Sequence, residues 1–454
     1  MQHLVETQRT YFNTQATKPI SFRKKQLKLL RDVLKQHEEL LYDAIYDDFK
    51  KSEFETYVTE LNLLYHEIRV ARKQLSQWAA RTSVSTGLMN LPGKSYIIKE
   101  PLGVCLVIGA WNYPYQLSLA PVIAAMAAGN TVILKPSELP GNTSSVMAKL
   151  LNNAFDPAYL KVVEGGVPET TALLEQEFDK IFFTGSTKVG QIVYKAAAKT
   201  LTPVTLELGG KSPAIVMEDC DLKMTAKRLV WAKFLNAGQT CIAPDYVMVH
   251  ESVAMRFLEA CKTEIENARY AFEHDNYVQI INDDNYQRLK GLINAEQVYY
   301  GGRTHREERY IQPTLLQHVT FDDAVMQEEI FGPILPVLTY TKLDDALRQI
   351  ACLPKPLSCY VFTKSRKKKH HVLGTLSFGG GAVNEAVMHI SNLDLPFGGV
   401  GHSGMGSYHG EAGFNAFSHQ KSILEKPTWF ELPLKYPPYS KSKLKWIKRL
   451  MRFS

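Results

Sequence analysis

The sequence predicts an α/β protein built around two parallel sheets. Three observations carry this. After Gly103, short continuous apolar runs alternate with longer runs of helical period. A second series of the same kind starts near Ser212. The chain has 454 residues, enough for two or three domains and a sizeable core. Apolar residues make up 45% and charged residues 22%, the balance of an ordinary soluble globular chain.

The first hundred residues read as helical. SFRKKQLKLLRDVLKQHEELLYDAIYDDF places apolar residues three and four apart with charges between, and a second such run covers Glu55 to Trp78. Pro92-Gly93 breaks the pattern, and SYIIKEPLG reads as a strand with a turn. GVCLVIGAW suits a strand buried on both faces, LSLAPVIAAMAA a helix, and TVILKPS a strand. A helix near 143–155 precedes LKVVEGG, another precedes KIFFTG, and VGQIVYKAAAK follows it; PVTLELGG closes the series. Strand and helix in alternation over about 100 residues imply βαβ crossovers. The second series has PAIVMED and YVMVHES as strands around a helix from Leu222 to Asn236, then ILPVLTY, LSCYVFT and GGGAVNE. The boundary falls near Gly209-Gly210, and no internal repeat is present.

Charge and cysteine usage narrow the class. The net charge is +7, yet residues 441–454 carry Lys441, Lys443, Lys445, Lys448, Arg449 and Arg452 with no acid. The body is near neutral, so no nucleic-acid partner is expected. MQHLVETQRTYF lacks a basic segment leading into an apolar one, so no secretory signal is expected. The longest apolar stretch, Leu117 to Leu134, is interrupted by Ser118, Pro121, Gly129 and Asn130 and reads as a helix running into a strand. The six cysteines, Cys105, Cys220, Cys241, Cys261, Cys352 and Cys359, are scattered, which suits reduced thiols in a cytoplasmic protein. No clustered His/Cys pattern suggests a metal.

Six segments carry chemistry. In FTGSTKVG, Gly185 ends an apolar strand before a helix, where backbone amides hold phosphate; a plain βα turn fits equally. In LKPSE, Lys135 and Glu138 follow a strand end, where open α/β sheets bind ligands; a solvated loop is the alternative. In NAGQTCIAPDY, Cys241 sits among small residues that leave room for a carbonyl to reach its sulfur; a buried structural cysteine also fits. In TLELGGKSP, Glu207 ends an apolar strand, as a general base of raised pKa or as half of an ion pair. In GAWNYP, Asn112 offers an amide to a developing oxyanion. QEEIFGP places two acids before a Phe-Gly-Pro turn.

Taken in order, AWNYP, LKPSE, FTGST, LELGGKSP, GQTC, EEIFGP and LPFGGVGHSG resemble the aldehyde dehydrogenase superfamily, from about residue 10 to about 435. The compact N-terminus, APDY after Cys241 and GGVGHSGMGSYHG resemble its class 3 branch, the bacterial class 3 and fatty-aldehyde type. The resemblance implies the aldehyde dehydrogenase fold: two Rossmann-like parallel-sheet domains and an oligomerisation arm. It implies a cofactor-binding domain at 1–83 and 103–208, a catalytic domain at 209–395, an arm at 84–102 and 415–436, a bridging segment at 396–414 and a basic amphipathic tail at 437–454. It makes Cys241 the nucleophile, Glu207 the general base and Asn112, with the Cys241 N–H, the oxyanion hole. Lys135 and Glu138 become adenosine-ribose contacts, Gly185 and Ser186 the pyrophosphate turn, and Glu329 and Phe331 the nicotinamide-ribose acid and its aromatic neighbour. The cofactor is NAD or NADP, with NAD favoured because Glu138 would repel a 2′-phosphate. The substrate is an apolar aldehyde, aliphatic, aromatic or isoprenoid, in a tunnel that includes Tyr113. Resolution of the thioester by coenzyme A, and a non-catalytic binding role, are the alternatives; Glu207 weighs against the first, and Cys241, Glu207 and Asn112 together weigh against the second.

A homodimer is expected, pairing sheet edges at residues 94–102 and 420–434. In the tail, Leu444, Ile447, Leu450 and Met451 share one helical face, and Lys445, Lys448, Arg449 and Arg452 fill most of the rest. This suits peripheral contact with the inner face of a membrane through residues 441–454, with docking on the protein itself as the competing reading.

Overall fold

The structure, a computed structural model, describes residues 1–453; Ser454, the last residue of the expected tail, lies outside them. The N-terminal layer holds α1 (Gln2–Asn13), α2 (Ile20–Gln36), α3 (Glu38–Phe49), α4 (Glu53–Thr56) and α5 (Asn62–Trp78). Apolar spacing explains the layer: Leu27, Leu30 and Leu34 of α2 and Leu64, Ile68 and Leu75 of α5 are all buried. The first helical run is two helices, because His37 leaves the helical region (φ −123°, ψ 24°). A π-helical turn, Tyr57–Leu61, joins α4 to α5.

The chain then runs through β1 (Thr82–Val84) and β2 (Lys94–Pro101) into the first sheet: β3 (Val104–Ile108), α6 (Pro114–Ala128), β4 (Thr131–Lys135), α7 (Gly141–Ala154), β5 (Leu160–Val162), α8 (Val167–Leu174), β6 (Lys180–Thr184), α9 (Thr187–Ala198) and β7 (Val204–Glu207). The five strands are parallel in the order β7-β6-β3-β4-β5. Strand order reverses between β3 and β6, so their carboxyl ends open a crevice there. Every residue of α6 is buried, which its nearly all-apolar sequence demands. The helix stops at Gly129 (φ +97°), where a Cβ would meet the Arg23 guanidinium within 3 Å.

The second sheet comes from β8 (Pro213–Val216), α10 (Leu222–Phe234), β9 (Tyr246–His250), α11 (Ala254–Ala268), α12 (Asp283–Gly291), β10 (Val298–Tyr300), β11 (Thr304–His305), β12 (Tyr310–Ile311), β13 (Thr314–Leu316), β14 (Ile334–Tyr340), α13 (Leu343–Ala351), β15 (Ser358–Phe362), α14 (Arg366–Thr375) and β16 (Gly380–Val383). Its order is β10-β13-β14-β9-β8-β15-β16, parallel except for β10; β11 and β12 pair separately. The helix expected to reach Asn236 ends at Phe234, because Asn236, Ala237 and Gly238 all take positive φ.

The last segment returns to the first sheet. β17 (Gly404–Met405) pairs antiparallel with β7, setting Gly404 against Glu207. α15 (Gly410–Ala416) leads into β18 (Ser418–Glu425), which pairs with β2 along its whole length. Phe182 of β6 packs on Tyr408 and Phe417, ring centroids 5.0 and 6.0 Å away, tying this return to the core. One expectation is corrected here. Residues 94–101 are not open along their whole length: β1 covers residues 95–97 on one side of β2, β18 pairs with all of β2 on the other, and β18 stops at Glu425, short of residue 434. The long open edge belongs to β18. The tail forms α16 (Lys441–Leu450) and a 3-10 turn, Met451–Phe453.

Candidate active site

Four strands of the first sheet deliver candidate residues to one edge, because a strand buried on both faces leaves polar side chains only its ends. Glu207 is the last residue of β7, held between Thr184 of β6 and Gly404 of β17. Its side chain is buried and neither carboxylate oxygen has a hydrogen-bond partner. Burial alone pushes its pKa well above the usual carboxylate range. The ion pair that a strand-end carboxylate also allowed is not formed.

Cys241 stands on a loop bent by Asn236 (φ +53°), Ala237 (φ +49°) and Gly238 (φ +73°). The two non-glycine conformations cost about 1–3 kcal/mol each and persist only where the surroundings fix them. Gly238 is obligatory: a Cβ there would lie 2.2 Å from the Gly332 carbonyl. Asn236 donates from Nδ2 to the carbonyls of Asn112 (2.9 Å) and Gln239 (3.1 Å), and Asn112 donates from Nδ2 to the same Gln239 carbonyl at 3.0 Å. The Gln239 side chain donates to the carbonyls of Asn236 and Gln279 and accepts from Ile281 N–H. Asn112 is thereby fixed beside the Cys241 loop. Tyr113 shares a 2.6 Å hydrogen bond with Thr240, the residue before Cys241, and its ring packs in a small buried cluster with Ala110 and Leu117.

The Cys241 side chain is only half-buried, so a substrate can reach it. Burial raises its thiol well above the usual range, and the charges of Glu329 and then Glu207 raise it further. The N–H groups of Cys241 and Ile242 oppose this by hydrogen bonding to the sulfur. The other five cysteines are also free thiols.

Glu329 arrives from the loop before β14. Its carboxylate lies on Gly209, where a Cβ would come within 2.0 Å of Oε2. Its pKa is raised to about 8 by burial and by Asp245, against the Gly210 N–H, Lys211 and Lys233. The loop is pinned by a pair that the sequence reading passed over. Lys211 Nζ lies 2.5 Å from Asp245 and donates to the carbonyls of Val325 and Glu328, while Asp245 accepts from Ile330 N–H at 2.9 Å. Both residues stood inside quoted motifs, GGKSP and APDY; the signal was the unassigned charge in each. Lys233 is fully buried with an unpartnered Nζ, and burial lowers it to about 8. Phe331 takes φ +50° and meets Trp111 edge to face at 5.3 Å, another neighbour not anticipated.

The remaining candidates lie along the same edge. Lys135, the last residue of β4, is buried; its ammonium donates to the Pro136 carbonyl at 2.7 Å and sits 3.6 Å from the half-exposed Glu138 carboxylate. Gly185 N–H bonds to the Glu207 carbonyl at 3.0 Å, and Ser186 caps α9 by accepting from Val189 N–H.

A thiol, an amide donor held against its loop, a buried unpartnered carboxyl and a βα crevice form one assembly. The model of the aldehyde dehydrogenase family matches residues 1–423. The chain belongs to the aldehyde dehydrogenase family. It is 48% identical over 448 residues to the 4,4′-diaponeurosporen-aldehyde dehydrogenase of Staphylococcus aureus, covering 98% of this chain and 97% of the relative. It is 42% identical to aldehyde dehydrogenase family 3 member A2 of mouse, covering 99% and 93%, and 42% identical to the dimeric NADP-preferring aldehyde dehydrogenase of dog, covering 96% and 98%. The solved substrate-bound state of Staphylococcus aureus AldH superposes with a TM-score of 0.96 at 48% identity, covering 99% of both chains. This aldehyde dehydrogenase has the class 3 character and the fold that its motifs resemble, and it is NAD(P)-dependent.

Because Glu329 is the largest charge acting on the thiol, its removal has a predictable sign. Glu329→Gln should lower the Cys241 pKa and raise the thiolate fraction. Alkylation of Cys241 by iodoacetamide at pH 9, read by mass spectrometry, should then run several-fold faster than in the unaltered enzyme. An equal or slower rate would show that this carboxylate does not act on the sulfur.

Proposed function

We propose that this enzyme oxidises an apolar aldehyde to its carboxylic acid through a covalent intermediate on Cys241. The supporting observation is Glu207: a buried carboxyl with both oxygens unpartnered, near enough to raise the pKa of a half-buried thiol. The Cys241 sulfur adds to the carbonyl carbon and a thiohemiacetal forms. Asn112 Nδ2 and the Cys241 N–H steady the resulting oxyanion, a contribution of about 3 kcal/mol in comparable sites. A nicotinamide cofactor, when bound, would supply the hydride acceptor for that carbon. A thioester on Cys241 remains. Glu207 then takes a proton from water, which attacks the thioester and releases the acid.

The residues present fit a dinucleotide. The buried Lys135 ammonium meets only one backbone oxygen and a distant Glu138 carboxylate, which leaves room for ribose oxygens. Gly185 and Ser186 form the turn into α9 that suits a pyrophosphate. Glu329, seated on Gly209 with Phe331 beside it, suits the second ribose. Glu138 favours NAD through repulsion of a 2′-phosphate, although the dog relative is named NADP-preferring. Residues 1–83 and 103–208 serve as the cofactor domain and 209–395 as the catalytic domain, with 396–414 bridging them. An apolar substrate is supported by the Staphylococcus aureus relative's isoprenoid aldehyde and by the Tyr113 cluster.

The chemistry is tested by reduced-nicotinamide absorbance over an aldehyde panel, with NAD, NADP and coenzyme A varied. Cys241→Ala should bind cofactor and turn over nothing; about a tenth of normal turnover would refute the nucleophile. Glu207→Gln should give one burst of reduced cofactor per site and little steady state. The unaltered steady state should rise with pH: Glu207 works only deprotonated, and burial holds its pKa high. A pH-independent rate, or a normal steady state in Glu207→Gln, would assign the base elsewhere.

The arm, 84–102 and 415–436, serves dimerisation. The open edge of β18 presents eight residues, Ser418–Glu425, a template for a strand of a second copy. Light scattering at micromolar concentration should give a dimer. Ser422→Pro, which blocks strand pairing, should shift it to monomer; an unchanged mass would clear this edge of the role.

The tail, 437–454, serves peripheral contact at the cytoplasmic face of a membrane. No helix among the described residues is long and apolar enough to cross one. α16 buries none of its residues and packs near the short turn Pro433–Lys435, which weighs against docking on the body. Leu444 and Trp446 are half exposed, and Trp429 and Tyr439 earlier in the same segment are exposed. Basic residues add at most about 1 kcal/mol each at an anionic surface, and salt weakens them. Deleting residues 441–454 should abolish sedimentation with anionic vesicles at low salt and leave hexanal oxidation unchanged. Unchanged sedimentation, or a collapse in hexanal turnover, would overturn this reading.

A further inference from the structure

Behind the site lies a buried ionic group that the catalytic reading does not use. Lys51 and Glu60 are completely buried, and Lys51 Nζ donates to Glu60 Oε1 at 2.7 Å. The second Glu60 oxygen accepts from the N–H groups of Tyr115 and Gln116, at 2.8 and 3.2 Å, in the first turn of α6. The Lys51 ammonium also stands 4.1 Å from the centre of the Tyr113 ring. Glu55, buried and one turn earlier, accepts from Asn236 N–H at 2.9 Å. Glu60 lies in the π-helical turn Tyr57–Leu61, and Glu55 in α4 just before it.

Each of the three side chains ends on a different part of the site. Glu60 fixes the start of α6, two residues after Asn112. Lys51 holds the face of Tyr113, whose hydroxyl bonds to Thr240. Glu55 holds the amide of Asn236, the first of the left-handed residues that turn the chain toward Cys241. A buried ion pair is seldom the cheapest way to fill a core, since apolar residues of like volume often stabilise as well or better. Its contribution is a fixed geometry. We propose that Lys51, Glu55 and Glu60 are positioning residues that lock Asn112 and Tyr113 in register with the Cys241 loop. The proposal rests on the roles assigned above to Cys241 and Asn112. If Glu55 releases Asn236, the Gln239 carbonyl moves, and with it the Asn112 amide that bonds to it. A misplacement of about 1 Å at a reacting centre costs on the order of 100-fold in rate.

The test compares isosteres in the full-length enzyme by the rate of the first-turnover burst of reduced nicotinamide. Glu55→Gln keeps an acceptor in place and should burst within about threefold of the unaltered rate. Glu55→Asp keeps the charge but withdraws the acceptor by about 1.5 Å. Its burst should slow on the order of 10- to 100-fold, with cofactor affinity unchanged and the enzyme still folded under assay conditions by its urea transition. The double variant Lys51→Met/Glu60→Gln removes both charges without stranding either, and should fold as well and burst slowly. A burst at the unaltered rate in Glu55→Asp or in the double variant overturns the proposal. So does a Glu55→Gln burst as slow as that of Glu55→Asp, which would show that an acceptor in place does not suffice. A fall in cofactor affinity and midpoint parallel to the burst would reduce these residues to general structural support, and also overturns it. Cys241→Ala separates the two readings: if it stays active, the assignment of the nucleophile fails whatever Glu55 does.

Discussion

A parallel sheet buried on both faces has no room for polar side chains along its strands. It must place them at strand ends, and that constraint organises this molecule. Lys135 ends β4, Glu207 ends β7, Gly185 follows β6, and Asn112 follows β3 by four residues. The crevice where strand order reverses, between β3 and β6, lies among them. Everything else positions groups against this edge. β17 returns nearly two hundred residues later in sequence to close β7, and the loop before β14 brings Glu329 onto Gly209.

Two buried carboxyls near one thiol are given different surroundings. Glu207 has no hydrogen-bond partner and no counter-ion among the causes of its shift; burial alone raises its pKa. Glu329 has the Gly210 N–H, Lys211 and Lys233 on one side of the balance and Asp245 on the other, and settles near 8. Environments that separate two like groups in this way assign them separate tasks. An unpartnered buried acceptor is costly to the fold, so its retention at a strand end is itself a sign of chemistry.

The Cys241 loop shows how strain is contained. Its left-handed Asn236 is held from three regions: it donates to the Asn112 carbonyl after β3 and to the Glu55 carboxylate of the N-terminal helices, and it accepts from the Gln239 side chain of the loop itself. The N-terminal layer, which resembles an ordinary helical cover when read as a sequence, therefore reaches the centre of the site. Its fully buried Lys51 and Glu60 sit at positions where charges on an amphipathic pattern normally mark a solvent face.

Strand and helix alternation, the break near Gly209-Gly210 and the order of the motifs were legible in the sequence because periodicity and turn residues are local properties. The same holds for Cys241, Glu207 and Asn112 as candidates, since each stands in a distinctive short segment. Three things were not legible. The helix after Leu222 stops at Phe234 because Asn236 is fixed left-handed by the hydrogen bonds it donates to Glu55 and Asn112, distant in sequence. β2 is a central strand because β18 pairs with it across more than three hundred residues. Lys51 is buried because Glu60, Tyr113 and the first turn of α6 converge on it. The sequence by itself determined which segments are strands and helices and which side chains carry chemistry. Only the tertiary structure decided which charges lose their water and what holds them, because burial depends on every element packed around a group and not on its neighbours in the chain.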